Sequence, residues 1–407
     1  MKVLFITGLY PSQEEQYYYK CANGTLQNSS NVFQWGVVRG LEENGCDYTV
    51  VSYPFLPCYL RGYKKVFTKD TVIRYENKTI GYSPRYITIP YVKEYYIKES
   101  LNNYIKTWIK EQKIQKDEKF AILFYHLYGP FLSAAISFKK KYPKLILCPI
   151  VTDVFYHDDQ LISQLPFWRR IQATKEKKAF YSAFPYMDKY VFLAEKISDF
   201  IPNSKGHNII VEGLAQKIPN IPDLKSNTAE KTLLYTGSLG VHTSIDFLLE
   251  AFSSIENENY RLVICGEGAL HGVVENYCAK DKRIVYKGSV LREEALTLQK
   301  KCTALINPRR PDIPETPYSF PSKTIEYMLS GTPMIGYKLE GIPSEYYNYY
   351  YTIPDMEKSS MMKVIQEVLD KPAEELYNKA LSAFNFIAMK KNAVAQTKRI
   401  IDYLGAD

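Results

Sequence analysis

A strand–turn–helix unit recurs along most of the chain, and this alternation limits the possible folds more than any other feature. Short apolar stretches alternate with segments whose apolar residues recur at helical spacing. Strands separated by helices pair in parallel, and helices then cover both faces of the sheet. The sequence therefore predicts an α/β protein.

In the first half, an apolar strand over Lys2–Thr7 ends at Gly8 and is followed by a helix over Asn31–Asn44. The later predicted elements of this half are the strands Tyr48–Ser52, Phe120–Tyr125, Leu145–Val151 and Lys189–Leu193, and the helix Phe131–Lys141.

The alternation restarts after a polar, proline-containing stretch at 213–226, which is typical of a linker. The predicted strands are Leu233–Gly237, Arg261–Gly266, Ile284–Lys287, Ala304–Asn307 and Met334–Tyr337; the helices are Ile245–Ile255, Leu270–Lys280, Glu293–Lys301 and Pro321–Leu329.

A chain of 407 residues is too long for one ordinary domain. We predict two Rossmann-like, doubly wound domains at 1–212 and 227–385 that face a central cleft. A helix within 386–407 is expected to pack back on the first domain. Ligands of such folds bind in the crevice at the carboxyl ends of the strands, so this is where a site is expected.

Composition excludes several classes of protein. The net charge of +8 is mild for this length and argues against nucleic-acid binding. The seven cysteines include no C-x-x-C pair and indicate reduced thiols. No apolar run reaches the ~18 residues of a membrane span, and the opening MKVLFITGLYP is too short for a signal-peptide core. We expect a soluble, cytoplasmic protein.

Two glycine-containing turns follow predicted strands of the second half. Gly237-Ser238-Leu239-Gly240 and Cys265-Gly266-Glu267-Gly268 would let backbone approach a phosphate at a helix start. Each turn alone fits an ordinary strand-to-helix connection equally well. The chain has neither G-x-G-x-x-G nor G-K-[ST], which disfavours a dinucleotide or P-loop site.

The segment INPRRPDIPETPYSFPSKTIEYMLSGTPMIGYKLEGIPSEY, Ile306–Tyr346, resembles the retaining GT-B glycosyltransferases of the family 4 type (glycosyl transferases group 1). Upstream, LLYTGSL, IDFLLEAF, LVICGEG, IVYKGSV and LREEAL match blocks of that family in the same order. The matching residues of the segment are Phe320, Glu326, Tyr327, Met328, Gly331, Pro333 and Ile335, then Gly341 and Glu345.

The resemblance implies transfer of a sugar, with retention of configuration, from a nucleotide diphosphate sugar held by the second domain. Glu326 occupies the place of the family's ribose-binding glutamate, and a carboxylate suits two vicinal hydroxyls. Glu267 or Tyr318 is expected to touch the sugar. The implied donor contacts are Gly8, Gly237, Ser238, Gly266, Glu267, Tyr318, Ser319, Phe320 and Glu326.

The chain departs from the family at three positions. The family's diphosphate-binding Arg and Lys fall on Ser238 and Thr243, and the first glutamate of its paired carboxylates falls on Tyr318. Two phosphates in a partly dry cleft need cations or several amides. We hypothesise that Arg309 and Lys323 replace the missing cations. The neighbouring Arg310 is more simply a solvated loop charge.

Two residues of the first half end predicted strands. His126 resembles the family's first-domain histidine that approaches the donor sugar, although a structural role is equally compatible. Asp153 either orients an acceptor hydroxyl or caps a turn. The adjacent His157, Asp158 and Asp159 make a poor ligand set, so we expect no metal. The predicted catalytic groups are His126, Asp153, Arg309 and Lys323.

Basic and aromatic residues alternate at Phe167–Phe184 and around Lys64 and Lys65, beside Tyr63 and Phe67. Such stretches suit an anionic membrane surface; a solvated helix with one buried face explains them too. The membrane interpretation predicts peripheral contact with the inner face of the cell membrane and a lipid-linked acceptor.

The sequence thus predicts a hexosyltransferase that uses a nucleotide diphosphate sugar as co-substrate, with no other cofactor and no nucleic-acid partner. The acceptor is a glycan or lipid-linked glycan hydroxyl, and bacterial capsule, exopolysaccharide or lipopolysaccharide synthesis is the implied setting. The alternatives are a sugar-nucleotide epimerase of the same fold and a non-catalytic nucleotide-sugar-binding protein or partner subunit. The best support for the non-catalytic alternative is the absence of the family's Arg, Lys and Glu from their usual positions.

Overall fold

The computed structural model describes residues 1–23, 26, 28–152, 162–163, 165–221, 223 and 230–406. The chain forms two compact units, one of Met1–Gln216 with Ala393–Asp407 and one of Lys217–Asn392. The division therefore falls after 216 and 392, whereas the sequence analysis places the domain ends at 212 and 385. Residues 211–215 are buried in the first unit, where Leu214 fills the space beside Gly36.

The first unit contains an eight-stranded sheet with the order β3-β4-β2-β1-β5-β6-β7-β8. Its strands are β1 (Lys2–Thr7), β2 (Asp47–Ser52), β3 (Thr71–Tyr75), β4 (Lys78–Ser83), β5 (Phe120–Tyr125), β6 (Leu145–Val151), β7 (Tyr190–Phe192) and β8 (Asn208–Ile210).

One edge of this sheet corrects the expectation of purely parallel strands. β3 runs antiparallel to β4, and the two form a hairpin. Ile73 is the buried residue of β3, whose other side chains are partly or fully exposed. A half-exposed edge strand lacks the continuous apolar run by which a buried parallel strand is recognised. For this reason neither β3 nor β4 was predicted from the sequence.

The helices of the first unit are α1 (Glu15–Cys21), α2 (Asn28–Glu43), α3 (Val92–Glu111), α4 (Gly129–Lys139), α5 (Phe167–Ala183) and α12 (Ala393–Gly405). The last helix packs against α2 at Gly40, where an added Cβ would lie 2.4 Å from the carbonyl oxygen of Ala393. Side chains of β1, α2, β5 and α12 share one hydrophobic core. The end of the chain is therefore an integral part of the first unit.

The second unit contains a six-stranded sheet in which all strand pairs are parallel, with the order β11-β10-β9-β12-β13-β14. Its strands are β9 (Lys231–Thr236), β10 (Tyr260–Cys265), β11 (Ile284–Tyr286), β12 (Ala304–Asn307), β13 (Met334–Tyr337) and β14 (Tyr351–Ile353). Its helices are α6 (Ile245–Ser253), α7 (His271–Lys280), α8 (Arg292–Lys301), α9 (Lys323–Met328), α10 (Lys358–Leu369) and α11 (Ala373–Lys390).

This strand order places a topological switch point between β9 and β12. The chain builds outward from β9 to β11 on one side and then continues from β12 on the other. Loops that leave neighbouring strands in opposite directions open a crevice at their carboxyl ends, where doubly wound proteins bind ligands. The predicted doubly wound fold is confirmed for this unit, although α9 is shorter than the predicted Pro321–Leu329.

No helix within the described part of the chain combines the length and the apolar character needed to cross a bilayer.

Candidate functional site

The turns that follow β9, β10 and β11 are joined by their backbones. The amide of Gly237 donates to the carbonyl of Cys265 at 2.8 Å, and the amide of Gly266 donates to the carbonyl of Gly288 at 2.8 Å. Gly266 has φ +143°, and an added Cβ there would lie 1.6 Å from the carbonyl oxygen of Gly237. Residue 266 must therefore be glycine for these two turns to lie against each other.

The ammonium of Lys323 occupies the space that a side chain at position 237 would fill. An added Cβ at Gly237 would lie 1.5 Å from Nζ of Lys323, and this Nζ donates to the carbonyl of Thr236 at the end of β9. Burial lowers the pKa of Lys323 to about 8. Lys323 forms no ion pair with any described carboxylate; the charge of Glu326, three residues later on α9, raises its pKa, but less than burial lowers it.

A second cation follows β12, the strand beside β9. Arg309 donates from Nε to the hydroxyl of Thr316 at 2.9 Å, and burial lowers its guanidinium pKa. Among the described residues it has no ion-pair partner. Arg310, in contrast, pairs with Asp312 at 2.9 Å and lies over the ring of Phe247. Of the two adjacent arginines, Arg310 is thus paired with a carboxylate and Arg309 is not, although the charge of Glu315 raises the pKa of Arg309. The role of Arg309 as a diphosphate ligand stays a prediction.

The carboxylate of Glu326 lies on the same face of α9 as Lys323, three residues earlier. Its side chain is 30% exposed. One oxygen, Oε1, accepts from Nε2 of Gln299 at 2.8 Å, and Oε2 lies 3.6 Å from a guanidinium nitrogen of Arg292. The side chain is thus neither enclosed by packing nor free in solvent, which leaves it accessible to a ligand.

Three other predicted donor contacts lie beside these turns. Ser238 is exposed, and its carbonyl accepts from the hydroxyl of Tyr235 at 2.7 Å. Glu267 has a side chain that is 57% exposed and pairs with His271 at 3.5 Å. Tyr318 is half-buried in the short turn that precedes α9. All three are accessible to a ligand of the second unit.

Ser319 and Phe320 make contacts within the second unit that explain them without a ligand. The hydroxyl of Ser319 donates to the carbonyl of Glu315 at 3.2 Å, and the ring of Phe320 packs on Tyr346 with a centroid distance of 5.5 Å. Their predicted role as donor contacts stays a prediction.

In the first unit, Gly8 and His126 follow β1 and β5, which are neighbouring strands. His126 has φ +65°, and its Nδ1 lies 3.2 Å from the hydroxyl of Thr152. An added Cβ at Gly8 would lie 2.4 Å from ring carbons of Phe55. The predicted acceptor residue Asp153 lies outside the described residues, as do His157, Asp158 and Asp159.

Four residues that surround Glu326 and Lys323 were not predicted as site residues, namely Thr236, Arg292, Gln299 and Tyr327; of these, Tyr327 was noted only as a match to the family segment. One signal was available, because Arg292 and Gln299 are seven residues apart and therefore share a face of α8. The hydroxyl of Tyr327, which immediately follows Glu326, donates to the carbonyl of Thr236 at 3.1 Å.

No group of three or more His, Cys, Asp or Glu side chains suited to a metal ion occurs in the described part of the chain.

Residues 230–371, which lie in the second unit, match the family described as glycosyl transferases group 1. No curated protein sequence matches the chain.

Solved structures resemble the chain over its whole length. They include sucrose-phosphate synthase from Thermosynechococcus elongatus, with TM-score 0.64, 13% identity and coverage of 99% of this chain and 98% of that one. An E. coli trehalose-6-phosphate structure bound with UDP-2-fluoro glucose gives TM-score 0.67, 8% identity and coverage of 100% and 99%.

WaaG, a glycosyltransferase involved in lipopolysaccharide biosynthesis, gives TM-score 0.59 and 13% identity, with 100% of each chain covered. Identities this low show the fold alone, and the shared fold is the GT-B fold that the resemblance implied.

Proposed function

We propose that this chain, a glycosyltransferase of the GT-B fold whose second unit matches the group 1 family, moves a hexose from a nucleotide diphosphate sugar to a hydroxyl of a glycan or lipid-linked glycan. We further propose that the anomeric configuration is retained and that the product belongs to a bacterial surface polysaccharide.

The observation that carries the proposal is the charge at the switch point of the second sheet. Arg309 and Lys323 are desolvated cations; neither forms an ion pair with a described carboxylate, and the charges of Glu315 and Glu326 offset only part of the desolvation. Holding unpaired charges out of water costs free energy unless an anion joins them. A diphosphate supplies that anion, since each phosphate binds cations by short, charge-assisted hydrogen bonds. Glu326, on the same helix face as Lys323, is then suited to the ribose hydroxyls.

In the proposed reaction, the bond between the sugar C1 and the diphosphate oxygen breaks as the acceptor oxygen attacks C1 from the same face. The acceptor proton passes to an oxygen of the departing diphosphate. Arg309 and Lys323 stabilise the negative charge that accumulates on that diphosphate. No step requires a metal ion.

On the sugar side we propose His126 of the first unit as the group that approaches the donor sugar. Its left-handed backbone is rare for a residue other than glycine and costs on the order of 1 kcal/mol, a cost typical of functional sites. Asp153 is proposed to orient the acceptor, and Glu267 and Tyr318 to contact the sugar. A donor contact at Gly8 stays a prediction, because the ring of Phe55 already explains that glycine.

A surface of the first unit supports a membrane-bound acceptor. Leu60 is 81% exposed, Tyr91 77% and Tyr95 68%, and the hydrogen bond from Tyr59 to Thr88 joins the segments that carry them. The exposed basic residues Arg61, Lys64 and Lys65 share the first of these segments. Aromatic and aliphatic side chains beside cations suit the interface of an anionic bilayer.

Two details refine the predicted membrane stretches. Tyr63, expected on this surface, is buried, whereas Phe67 is exposed. In α5, Phe167 and Ile171 are exposed one turn apart, and the side chains of Arg169 and Lys175 lie outside the described part.

Vesicle sedimentation tests this surface. The chain should bind phosphatidylglycerol vesicles more tightly than phosphatidylcholine vesicles, and salt should weaken the binding. Replacing Leu60, Tyr91 and Tyr95 together by serine should abolish it. Met389→Ser, an exposed apolar residue of the second unit, is the matched control. Equal binding to both lipids would refute the proposal.

The donor proposal is tested by calorimetric titration with UDP, GDP and ADP. Arg309→Met should weaken the tightest of these about 10- to 100-fold, as expected for loss of a hydrogen bond to a charged group. The adjacent Arg310→Met, whose charge is already paired with Asp312, should change the affinity less than threefold. Equal effects of the two substitutions would contradict the assignment.

The non-catalytic alternative rests on the missing family cations at Ser238 and Thr243. It is excluded if nucleotide release from the donor rises when an acceptor glycan is added. An epimerase of this fold would instead convert the nucleotide sugar without an acceptor, so analysis of the products separates the two activities.

A further inference from the structure

Gln299 is fully buried on α8, and its side-chain amide donates two hydrogen bonds. One goes to Oε1 of Glu326 at 2.8 Å and the other to the hydroxyl of Thr236 at 2.9 Å. The amide thereby connects the end of β9 with the carboxylate proposed to bind ribose. Because the two amide hydrogens have a fixed geometry, the position of Thr236 determines where Glu326 is held.

Thr236 is also the point at which α9 is attached to the sheet. Its backbone amide donates to the hydroxyl of Tyr327 at 2.9 Å, and its carbonyl accepts from that hydroxyl and from Nζ of Lys323. Glu326 and Lys323, the proposed ligands of ribose and diphosphate, are thus both located by one residue at the switch point.

The remaining polar atom of this arrangement is unsatisfied. Oε1 of Gln299 is buried and has no hydrogen-bond partner among the described residues. Leaving such an acceptor unpaired costs free energy, whereas an apolar side chain of similar size would avoid that cost. Packing alone therefore does not explain a glutamine at this position, and its contact with Glu326 does.

We infer that Gln299 and Thr236 form a positioning pair that presents the Glu326 carboxylate to the ribose hydroxyls of the donor. The inference rests on the proposed function, in which Glu326 binds ribose. Gln299 holds Oε1 from the buried side, while the contact that Oε2 makes within the described part of the chain is the longer one with the half-exposed Arg292. The carboxylate keeps acceptor capacity for two hydroxyls, because each of its oxygens accepts more than one hydrogen bond.

The test compares the tightest-binding ribonucleoside diphosphate with its 2′,3′-dideoxy analogue, which differs only by the two hydroxyls. The parent should prefer the ribonucleotide about 10- to 100-fold, because hydrogen bonds to a carboxylate are worth roughly 1.5–3 kcal/mol. Gln299→Met keeps the size of the side chain but removes the amide. It should reduce this preference about tenfold with little change in affinity for the dideoxy analogue.

Thr236 provides a conservative pair of variants. Thr236→Val removes the hydroxyl that holds Gln299 and should reduce the ribose preference about threefold, whereas Thr236→Ser retains the hydroxyl and the preference. Ile365→Ala, a buried substitution in α10, controls for stability. It should lower Tm and leave the ribose preference unchanged, because general destabilisation weakens both ligands alike.

Two results overturn different claims. If the parent does not distinguish the ribonucleotide from its dideoxy analogue, the ribose role of Glu326 is wrong and the inference falls with it. If the parent distinguishes them and Gln299→Met and Thr236→Val do so equally well, the positioning pair alone is refuted. Should Gln299→Met not fold, the two Thr236 variants decide the question.

Discussion

The strand-end turns of the two units are both closed to larger side chains, but for different reasons. At Gly8 of the first unit the obstacle is the ring of Phe55, a hydrophobic packing contact. At Gly237 and Gly266 of the second unit it is the ammonium of Lys323 and the neighbouring backbone. Packing fully explains the first turn. The second holds a desolvated cation that forms no ion pair with a described carboxylate, which is a reason to place donor chemistry there.

The largest expected effect is that of Gly266→Ala. The new methyl group would meet the carbonyl oxygen of Gly237, and the residue would keep a backbone conformation that alanine disfavours. Backbone has little freedom to yield, so we expect a loss of about 3 kcal/mol or more in the free energy of unfolding. Thermal unfolding measures this loss, and nucleotide titration measures the accompanying change in affinity. A variant with parental Tm and affinity would refute the requirement for glycine.

Lys323→Met should separate stability from binding. The native pKa of about 8 lies below the usual 10.5, so the unfolded chain binds more protons between these values. Parental stability should therefore rise as pH increases from about 8 to 10.5. Below pH 8 Lys323 is charged in the folded protein, so the parent bears the full free-energy cost of desolvating this ammonium. The methionine variant lacks that cost and should melt a few degrees above the parent at pH 7.

The same substitution should weaken nucleoside diphosphate binding about 10- to 100-fold at pH 7. Parental affinity should itself fall about tenfold between pH 7 and pH 9 as the ammonium loses its proton, and this fall should be absent from the variant. A variant that melts below the parent and binds with the same pH profile would contradict the role of Lys323.

Gly8→Ala should have the smallest effect on the donor. Its methyl group would displace the Phe55 ring, and such overpacking costs about 1–3 kcal/mol of stability. Nucleotide affinity, measured well below Tm, should stay within twofold of the parent. Adding Phe55→Leu should recover part of the stability. Lost affinity at unchanged Tm would show instead that the donor approaches Gly8.

The second sheet was predictable because its buried parallel strands are continuous apolar runs. The predicted Ala304–Asn307 and Met334–Tyr337 are confirmed. The sequence patterns of the first unit are weaker. β3 and β4 form a partly exposed edge hairpin, and α3 begins at Val92, directly after Tyr91, whose positive φ no sequence signal marks. Such elements are determined by tertiary packing, which a single sequence does not record.

The residues of the candidate site likewise include some that were predictable from the sequence and one that was not. Glu326 and Lys323 were predictable, one from its motif and the other from the absence of the family's usual cations. Gln299 was not, because its partners Thr236 and Glu326 are 63 and 27 residues away in the chain. Only the fold brings β9, α8 and α9 together and shows that a glutamine amide connects them.

The central claim is that the Glu326 carboxylate binds the ribose of the nucleotide. Calorimetric titration of Glu326→Gln with the tightest-binding nucleoside diphosphate tests this claim most directly. The substitution preserves size and removes the charge that strengthens the ribose contacts. We expect at least tenfold weaker binding than in the parent, with Tm within a few degrees. Parental affinity in a folded Glu326→Gln protein would contradict the account.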